Sequence, residues 1–350
     1  MGFVRGVIWM SGESIDVVIT WVDGEDQVHA KKLAQCLAAM GIKRPEAAAP
    51  TRFNQCGEID YCVRSIARFA PWVRTIYIVT DEQIPKDRDQ WAKTSFGKKI
   101  KLIDHRDIFR GFEEHLPTFN SLTIESMLWR IKGLSERFIY FNDDCFLIRP
   151  VTPLDFFQEG KCVLRGTWKT QSEQKRWEVF KRGFERAFKI TIPLKNIDFF
   201  RALQERTARL AGWGTRYFHL PHEPIPLKKK SFDDYFQTYP EILSQNLKYR
   251  FRSDQQYSIV ALMAHLALKQ HLVVLDRRMG SVTVNGACHS PHKIERRLVK
   301  AERNKNVAFV CMQSMDAALG PTQENMFEWL ELRIGSEIGD SHGHCHLSDR

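Results

Sequence analysis

The chain has 350 residues, 43% of them hydrophobic, which is enough to bury a large core in one domain or two. The net charge of +10 and the pI near 9.2 favour an anionic partner, although a basic excess also serves solubility. The eight cysteines are scattered without a CxxC pair, which excludes a disulfide framework and a zinc ribbon and indicates a reduced compartment. No apolar run approaches the length of a membrane span and no signal peptide is recognisable, so we expect a cytosolic protein.

Apolar strands alternate with amphipathic helices along the N-terminal part of the chain. Four runs predict strands, namely IDVVITWV at 15–22, TIYIVTD at 75–81, KKIKLIDH at 98–105 and RFIYFNDD at 137–144. Helical spacing predicts a helix that ends near Leu37, a second over 58–70 and a third over 123–133. This alternation predicts an α/β fold with a parallel sheet.

Acidic residues stand where the predicted strands end. They are Asp23, Asp81, Asp104, Asp143 and Asp144. Because ligands of parallel α/β sheets bind outside the carboxyl ends of the strands, we expect these acids to gather along one rim of the sheet.

The pattern changes after Pro153. We divide the chain into an N-terminal α/β half at 1–153, a helical insertion at 154–215, a C-terminal part at 216–335 and a disordered tail at 336–350. Within the insertion, residues 173–189 predict a basic helix with an aromatic stripe, which either packs on the core or lies on an anionic membrane. In the C-terminal part, DQQYSIVALMAHLALK predicts a helix, and HLVVL and NVAFVCM predict strands.

The pair Asp143-Asp144 is the first candidate for chemistry. Two adjacent carboxylates after a wholly apolar strand suit a divalent cation that also holds a diphosphate, since Mg²⁺ is commonly bound by one or two carboxylates plus phosphate oxygens. Aspartate pairs also serve as turn formers and helix caps.

Two further stretches carry candidate residues. In HLPH, His219 and His222 flank a proline that keeps them out of a helix, and either could accept a proton from an alcohol, hold a metal or be structural. In YRFRSD, Arg252 precedes a predicted helix capped by Ser253 or Asp254, where it could bind phosphate or form a basic surface turn. No P-loop, GxGxxG or GxSxG motif is present, and only the net charge would suggest nucleic acid, so we expect no nucleic-acid partner.

Several long stretches together resemble the Stealth family of sugar-1-phosphate transferases. They are IDVVITWVDGED, RFNQCGEIDYCVRSIARFAPWVRTIYIVTDEQIP, LPTFNSLTIESMLWRIKGLSERFIYFNDDCFL and HLPHEP. The family includes bacterial capsular polysaccharide phosphotransferases and the catalytic subunit of the lysosomal-enzyme N-acetylglucosamine-1-phosphotransferase. The resemblance implies a Rossmann-like, glycosyltransferase-A-like α/β core with helical additions.

The resemblance also implies a reaction. A hexose- or N-acetylhexosamine-1-phosphate passes from a UDP-sugar to a hydroxyl of an oligosaccharide or lipid-linked saccharide, with Mg²⁺ or Mn²⁺ as cofactor and UMP as the leaving product. The setting it implies is bacterial capsule or surface polysaccharide synthesis in the cytoplasm, with peripheral contact to the anionic inner face of the membrane.

The family motifs also suggest roles for individual residues. The matching positions are Trp21, Asp23, Arg64, Asn120, Asp143, Asp144, His219, His222 and Arg252. The resemblance implies that the two adjacent aspartates hold metal and diphosphate, that His222 is the base with His219 as its competitor, and that Arg64 and Arg252 hold phosphates. Trp21 and Asp23 are expected to line the nucleotide pocket or support the base, and Asn120 to bind the donor.

Two departures stand against this pattern. Where the family's fourth region ends in an Asn-Asp pair, this chain has Gln313 and Ser314, with Asp316 two positions further on, and Asp60 stands where relatives often carry Arg. A metal ligand from the fourth region would therefore have to be Gln313 or Asp316. Two alternative functions remain open: a metal-dependent glycosyltransferase that releases UDP, and an inactive glycan- or nucleotide-binding protein.

Overall fold

The computed structural model describes residues 13–50, 53–174 and 199–335. The strands are β1 Ile15–Thr20, β2 Ile76–Thr80, β3 Ile100–Asp104, β4 Arg137–Asn142, β5 Cys145–Leu147, β6 Phe157–Gln158, β7 Lys161–Leu164, β8 Thr167–Thr170, β9 Arg216–His219, β10 Ile225–Lys228, β11 Val273–Leu275, β12 Gly280–Asn285 and β13 Val307–Gln313. The α-helices are α1 Gln27–Met40, α2 Glu58–Phe69, α3 Arg88–Ala92, α4 His105–Ile108, α5 Ser121–Glu125, α6 Phe199–Leu210, α7 Lys229–Thr238, α8 Pro240–Leu247, α9 Ile259–Lys269, α10 Pro291–Arg303 and α11 Gly320–Ile334.

The central sheet has the order β10-β4-β1-β2-β3. β1 pairs in parallel with both β2 and β4, β2 pairs in parallel with β3, and β10 is antiparallel to β4. The predicted α/β class with a parallel sheet is confirmed, because the apolar runs that predicted β1, β2 and β4 are buried strands and the run that predicted β3 is the partly exposed edge strand. Their carboxyl ends therefore meet at one edge.

A second sheet, β12-β13-β5, begins where the central sheet ends. β5 follows β4 after only two residues and pairs antiparallel with β13, so Cys145 lies opposite Cys311. The backbone N–H of Met312 donates to the carbonyl oxygen of Asp144 over 2.9 Å. The strand of the fourth region thus lies directly beside the predicted acidic pair.

The three large segments proposed from the sequence share one hydrophobic core. Val18 of β1, Phe157 of β6 and Leu262 of α9 belong to the same buried cluster. The helical spacing of α2 is confirmed, since Ile59, Val63 and the other apolar positions of that helix are buried.

Some local predictions are wrong. The helix expected over 123–133 is instead a five-residue helix, α5, that begins after its cap Asn120. A 3-10 turn follows, because the backbone N–H groups of Met127, Arg130 and Ile131 donate to the carbonyl three residues earlier. The helix α9 begins at Ile259 with Ser258 as its cap, whose hydroxyl accepts from the N–H of Ala261, so neither Ser253 nor Asp254 is the cap.

The segment predicted as a helical insertion contains strands as well as helix. β6, β7 and β8 lie within 154–215, and β8 pairs with β9 beyond it. Most of the basic aromatic helix expected at 173–189, and the tail at 336–350, lie outside the described residues. Among the described residues, no helix is long and apolar enough to cross a membrane.

Candidate active site

A cavity of about 920 Å³ opens at the carboxyl edge of the central sheet. Its wall includes Trp21 after β1, Asp81 after β2, and Asn142, Asp143 and Asp144 at the end of β4. The expected rim of acids therefore exists in part. The volume lies near the upper end of the range for small-molecule sites and leaves room for a ligand with several functional groups.

Asp143 and Asp144 occupy the short link between β4 and β5. Burial, together with the charges of Asp144 and Glu58, raises the pKa of Asp143 well above its usual range. Glu58 lies at the start of α2, and burial, with contributions from the charges of Asp144 and Asp316, raises its pKa as well. This crowding of carboxylates is what a cation would relieve.

His222 binds Asp144 directly. Its Nε2 atom is 3.1 Å from Oδ1 of Asp144, and the Asn142 side-chain nitrogen is 3.3 Å from the same ring atom. Burial alone would lower the pKa of His222, but the Asp144 charge outweighs it and raises that pKa well above its usual value. Conversely, the histidine holds the pKa of Asp144 below its usual range despite burial. The two side chains are within ion-pair distance, and the pair is charged only while His222 keeps its proton.

Local structure explains why His222 rather than His219 reaches the cavity. His219 is the last residue of β9, where it pairs opposite Thr167, and it is not part of the cavity wall. His222 lies beyond Pro221 in the link to β10, and its carbonyl oxygen accepts from the Cys311 thiol over 2.7 Å. The link is thereby held against β13.

Arg252 is also in the cavity wall, and its Nη2 donates to the Ser121 hydroxyl over 2.8 Å. It faces Glu125, a buried acid that the sequence reasoning missed. Burial raises the pKa of Glu125 to about 7, against the charges of Arg252 and His222 and the hydrogen bonds of Ser121 and Tyr140. A glutamate within an apolar helix pattern gives no sequence signal that it will face a cavity.

Arg64 does not lie in the cavity wall, and its position does not support the expectation that it binds phosphate. On the buried side of α2 its Nε donates to Asp60 over 2.8 Å, and its Nη2 lies 3.3 Å from Glu331. A third bond joins Nη1 to the carbonyl oxygen of Gly335. The arginine is therefore engaged in holding α11 against α2.

Trp21, Asp23 and Asn120 take different positions. Trp21 is in the cavity wall, whereas the carboxylate of Asp23 caps a turn by accepting from the N–H of Glu25 over 2.9 Å and is not in that wall. Asn120 lies at the wall but is fully buried, and its side-chain nitrogen donates to Gln256 over 2.8 Å. Its observed contacts therefore organise the loop before α5.

One end of the cavity carries buried polar atoms that have no hydrogen-bond partner among the described residues. These are Nε1 of Trp21, both ring nitrogens of His29, Nδ1 of His105 and the hydroxyl oxygen of Thr118. Such atoms are rare in folded proteins and indicate a place for a polar ligand or water. The sequence reasoning missed His29, His105 and Thr118, because their distant positions give no joint signal.

The same end is aromatic. The ring of His29 lies 5.4 Å from that of Phe53 and 5.3 Å from that of Phe119, and Phe119 stacks on Phe251 at 5.6 Å. A planar heterocycle suits this pocket, because aromatic faces can stack on its ring and the unpartnered polar atoms can hydrogen-bond to its edge.

The altered fourth region reaches the acidic end of the cavity. Gln313, Ser314 and Asp316 all belong to the wall. Ser314 has a left-handed backbone with φ of 51°, which turns the chain after β13. Asp316 accepts from the side-chain nitrogen of Asn54 over 2.9 Å. Both candidate substitutes for the usual pair are thus close to the acids of β4.

Comparison with known proteins places this chain in a family of polysaccharide phosphotransferases. Residues 13–41 match the model for Stealth protein conserved region 1, and residues 52–164 match that for conserved region 2. Exopolysaccharide phosphotransferase cps2G of Lactiplantibacillus plantarum is 32% identical over 262 residues, which are 70% of this chain and 73% of that protein. The chain belongs to the Stealth family, as the sequence motifs predicted.

Another relative shares less of its length with this chain. An exopolysaccharide phosphotransferase of Streptomyces coelicolor is 46% identical over 143 residues, which are 41% of this chain and 25% of that protein, so the chain spans about a quarter of this relative. Among solved structures, galactosyltransferase LgtC with donor and acceptor sugar analogues has a TM-score of 0.41 and 13% identity, covering 93% of this chain and 98% of that one.

Proposed function

We propose that this protein transfers a hexose- or N-acetylhexosamine-1-phosphate from a UDP-sugar to a hydroxyl of a saccharide acceptor, forming a phosphodiester and releasing UMP. The observation that carries the proposal is a single cavity whose wall combines two chemically different groups of residues. Asp143, Asp144 and His222 form the first group, and the aromatic pocket with unpartnered polar atoms forms the second. The names of the relatives support phosphotransfer in capsule or exopolysaccharide synthesis.

The aromatic end is assigned to the nucleoside. A uracil ring offers both donors and acceptors, and the nitrogens of His29 and Trp21 and the hydroxyl of Thr118 could satisfy them. The diphosphate would then extend toward Asp143 and Arg252. Arg252 is suited to the phosphate oxygens, because a guanidinium can bind two of them at once.

The acidic end fits the divalent cation that the family implies. The donors there are oxygen atoms of Asp143, Asp144, Glu58 and the fourth-region residues Gln313 and Asp316, which is the ligand type that Mg²⁺ and Mn²⁺ prefer. We assign Asp143 and Asp144 to this ion. When bound, such an ion would neutralise charge on the diphosphate and compete with His222 for the charge of Asp144.

His222 is assigned as the general base. The acceptor oxygen attacks the phosphorus next to the sugar, the bond from that phosphorus to the bridging oxygen breaks, and UMP departs with that oxygen. The hydroxyl proton passes to a ring nitrogen of His222, which must be neutral at that moment. The bond between the sugar C1 and its oxygen is untouched, so the anomeric configuration is retained.

The acceptor and the setting follow from the same relatives. We propose a hydroxyl of a growing surface polysaccharide, free or lipid-linked, as the nucleophile, with the enzyme in the bacterial cytoplasm at the anionic inner face of the membrane. The basic aromatic sequence at 173–189 supports membrane contact through its composition alone.

The test resolves UMP from UDP. Purified protein is incubated with Mg²⁺, a panel of UDP-sugars and a capsule-type oligosaccharide, and the nucleotide products are separated. UMP formed only with acceptor present supports the proposal and identifies the donor. UDP would instead indicate a glycosyltransferase, and donor binding without any product would indicate an inactive binding protein.

Paired variants test the base. His222→Ala should lower kcat by about 10²–10⁴-fold, the usual contribution of general base catalysis. His219→Ala is the matched control, because it removes an imidazole three residues away that lies outside the cavity wall. Equal loss in both variants would contradict the assignment of His222.

A further inference from the structure

A group of soft metal ligands lies beneath the acidic end of the cavity, on the face of β5 and β13. The thiol sulfurs of Cys145 and Cys311 and a ring nitrogen of His222 lie within 4.8 Å of one another. The two cysteines are opposite each other in the antiparallel pairing, and both are fully buried. A carboxylate oxygen of Asp144 is 3.5 Å from the Cys145 sulfur and 3.1 Å from His222.

This ligand set differs in kind from the oxygen set assigned to Mg²⁺. Two sulfurs, an imidazole and a carboxylate are typical zinc ligands, with bonds of about 2.3 Å to sulfur and about 2.0 Å to nitrogen. A tetrahedral ion with such bonds separates its ligands by about 3.5–3.8 Å. The observed separations, all within 4.8 Å, exceed this range by about 1.3 Å at most, which side-chain rotation can supply.

We propose that Cys145, Cys311 and His222, with Asp144 as the fourth ligand, form a binding site for a thiophilic divalent cation such as Zn²⁺. Binding replaces two S–H bonds by two metal–sulfur bonds and releases two protons to solvent. The side chains of His222 and Asp144 reach the cavity wall, where each is about one-fifth exposed. A cation can therefore enter the site from the cavity.

The site has a regulatory consequence that rests on the proposed function. A cation held here occupies the imidazole assigned as base and a carboxylate assigned to Mg²⁺, so zinc should inhibit transfer. Excess Mg²⁺ should not reverse the inhibition, because a hard cation binds thiolate poorly. The binding itself does not depend on what reaction the protein catalyses.

The test uses Cd²⁺ as a spectroscopic probe, since cadmium–thiolate bonds absorb in the ultraviolet. Other metal-binding groups are removed first: Cys288 is exposed, and the tail contains His342, His344, Cys345 and His346. The background is therefore the full chain with these residues replaced by alanine. We expect one Cd²⁺ per chain with the absorbance of two thiolates, displaced by Zn²⁺ and not by excess Mg²⁺.

Matched variants decide the location. Cys311→Ala should weaken binding by more than about 100-fold, the upper range for loss of a supporting group around a metal. Cys162→Ala is the control, because that cysteine is also buried but lies in the separate β11-β7-β6 sheet. Cys145→Ala gives a second variant if the first does not fold.

The outcomes separate this proposal from the proposed function. No thiolate absorbance in the background protein, or an absorbance that survives in Cys145→Ala, would overturn the metal site even if the enzyme is active. A normal two-thiolate signal in a protein without transferase activity would keep the site and refute the proposed function. Zinc inhibition that is relieved in an active Cys311→Ala variant would support both.

Discussion

Glu125 provides the sharpest test of the cavity electrostatics. Burial raises its pKa from 4.5 to about 7 in the folded protein. A carboxyl with a raised folded pKa binds more protons folded than unfolded between these values, so its contribution to stability falls as pH rises from 4.5 to about 7. The interval of about 2.5 pH units, at about 1.4 kcal/mol each, corresponds to about 3 kcal/mol.

Glu125→Gln removes this titration and keeps the shape of the neutral side chain. The free energy of unfolding should be nearly equal for variant and wild type at pH 4, and the variant should be more stable by about 3 kcal/mol at pH 8. Urea unfolding at intervals of pH measures the difference, in which all other titrating groups cancel. Glu328→Gln, which removes an exposed carboxylate on α11, is the matched control. A Glu125→Gln difference that does not change with pH would refute the assigned burial effect.

Three further changes test other parts of the fold. Arg74→Ala leaves the fully buried Asp16 without the guanidinium whose Nε donates over 2.8 Å, and should lower the free energy of unfolding in urea by about 3 kcal/mol. Asn120→Ala should lower it by about 2–3 kcal/mol, because the two hydrogen bonds that its side chain donates and its cap on α5 are lost; an unchanged urea midpoint would contradict this. Gly286→Ala places a Cβ 2.2 Å from a carbonyl oxygen of the turn after β13, and should reduce the rate of sugar-1-phosphate transfer by displacing the fourth region. Gly280→Ala is the control, because its Cβ meets nothing within 4 Å and the rate should not change.

The sequence alone determined the elements that depend on local pattern. Buried strands such as β1 and β4 follow from runs of apolar residues, and α2 follows from apolar residues at helical spacing, because each pattern records which side of the element is buried. The acidic pair at the end of β4 followed from strand direction, and the long motifs identified the family.

Prediction failed where short-range signals conflict or where a side chain has two possible environments. The helix predicted over 123–133 ends at Glu125, because the backbone hydrogen bonds beyond it follow the pattern of a 3-10 turn. Arg64 lies on an amphipathic helix, and its sequence position cannot tell whether its charge meets a ligand or the carboxylates of Asp60 and Glu331.

Only the tertiary structure decided which distant residues meet. His222 is 78 positions from Asp144, and Cys311 is far beyond both, yet the pairing of β13 with β5 brings all three to one place. The unpartnered atoms of Trp21, His29, His105 and Thr118 were likewise assembled from separate loops. Local sterics and burial fix an element from its own residues, whereas these contacts depend on how the whole hydrophobic core packs, and no short stretch of sequence carries that information.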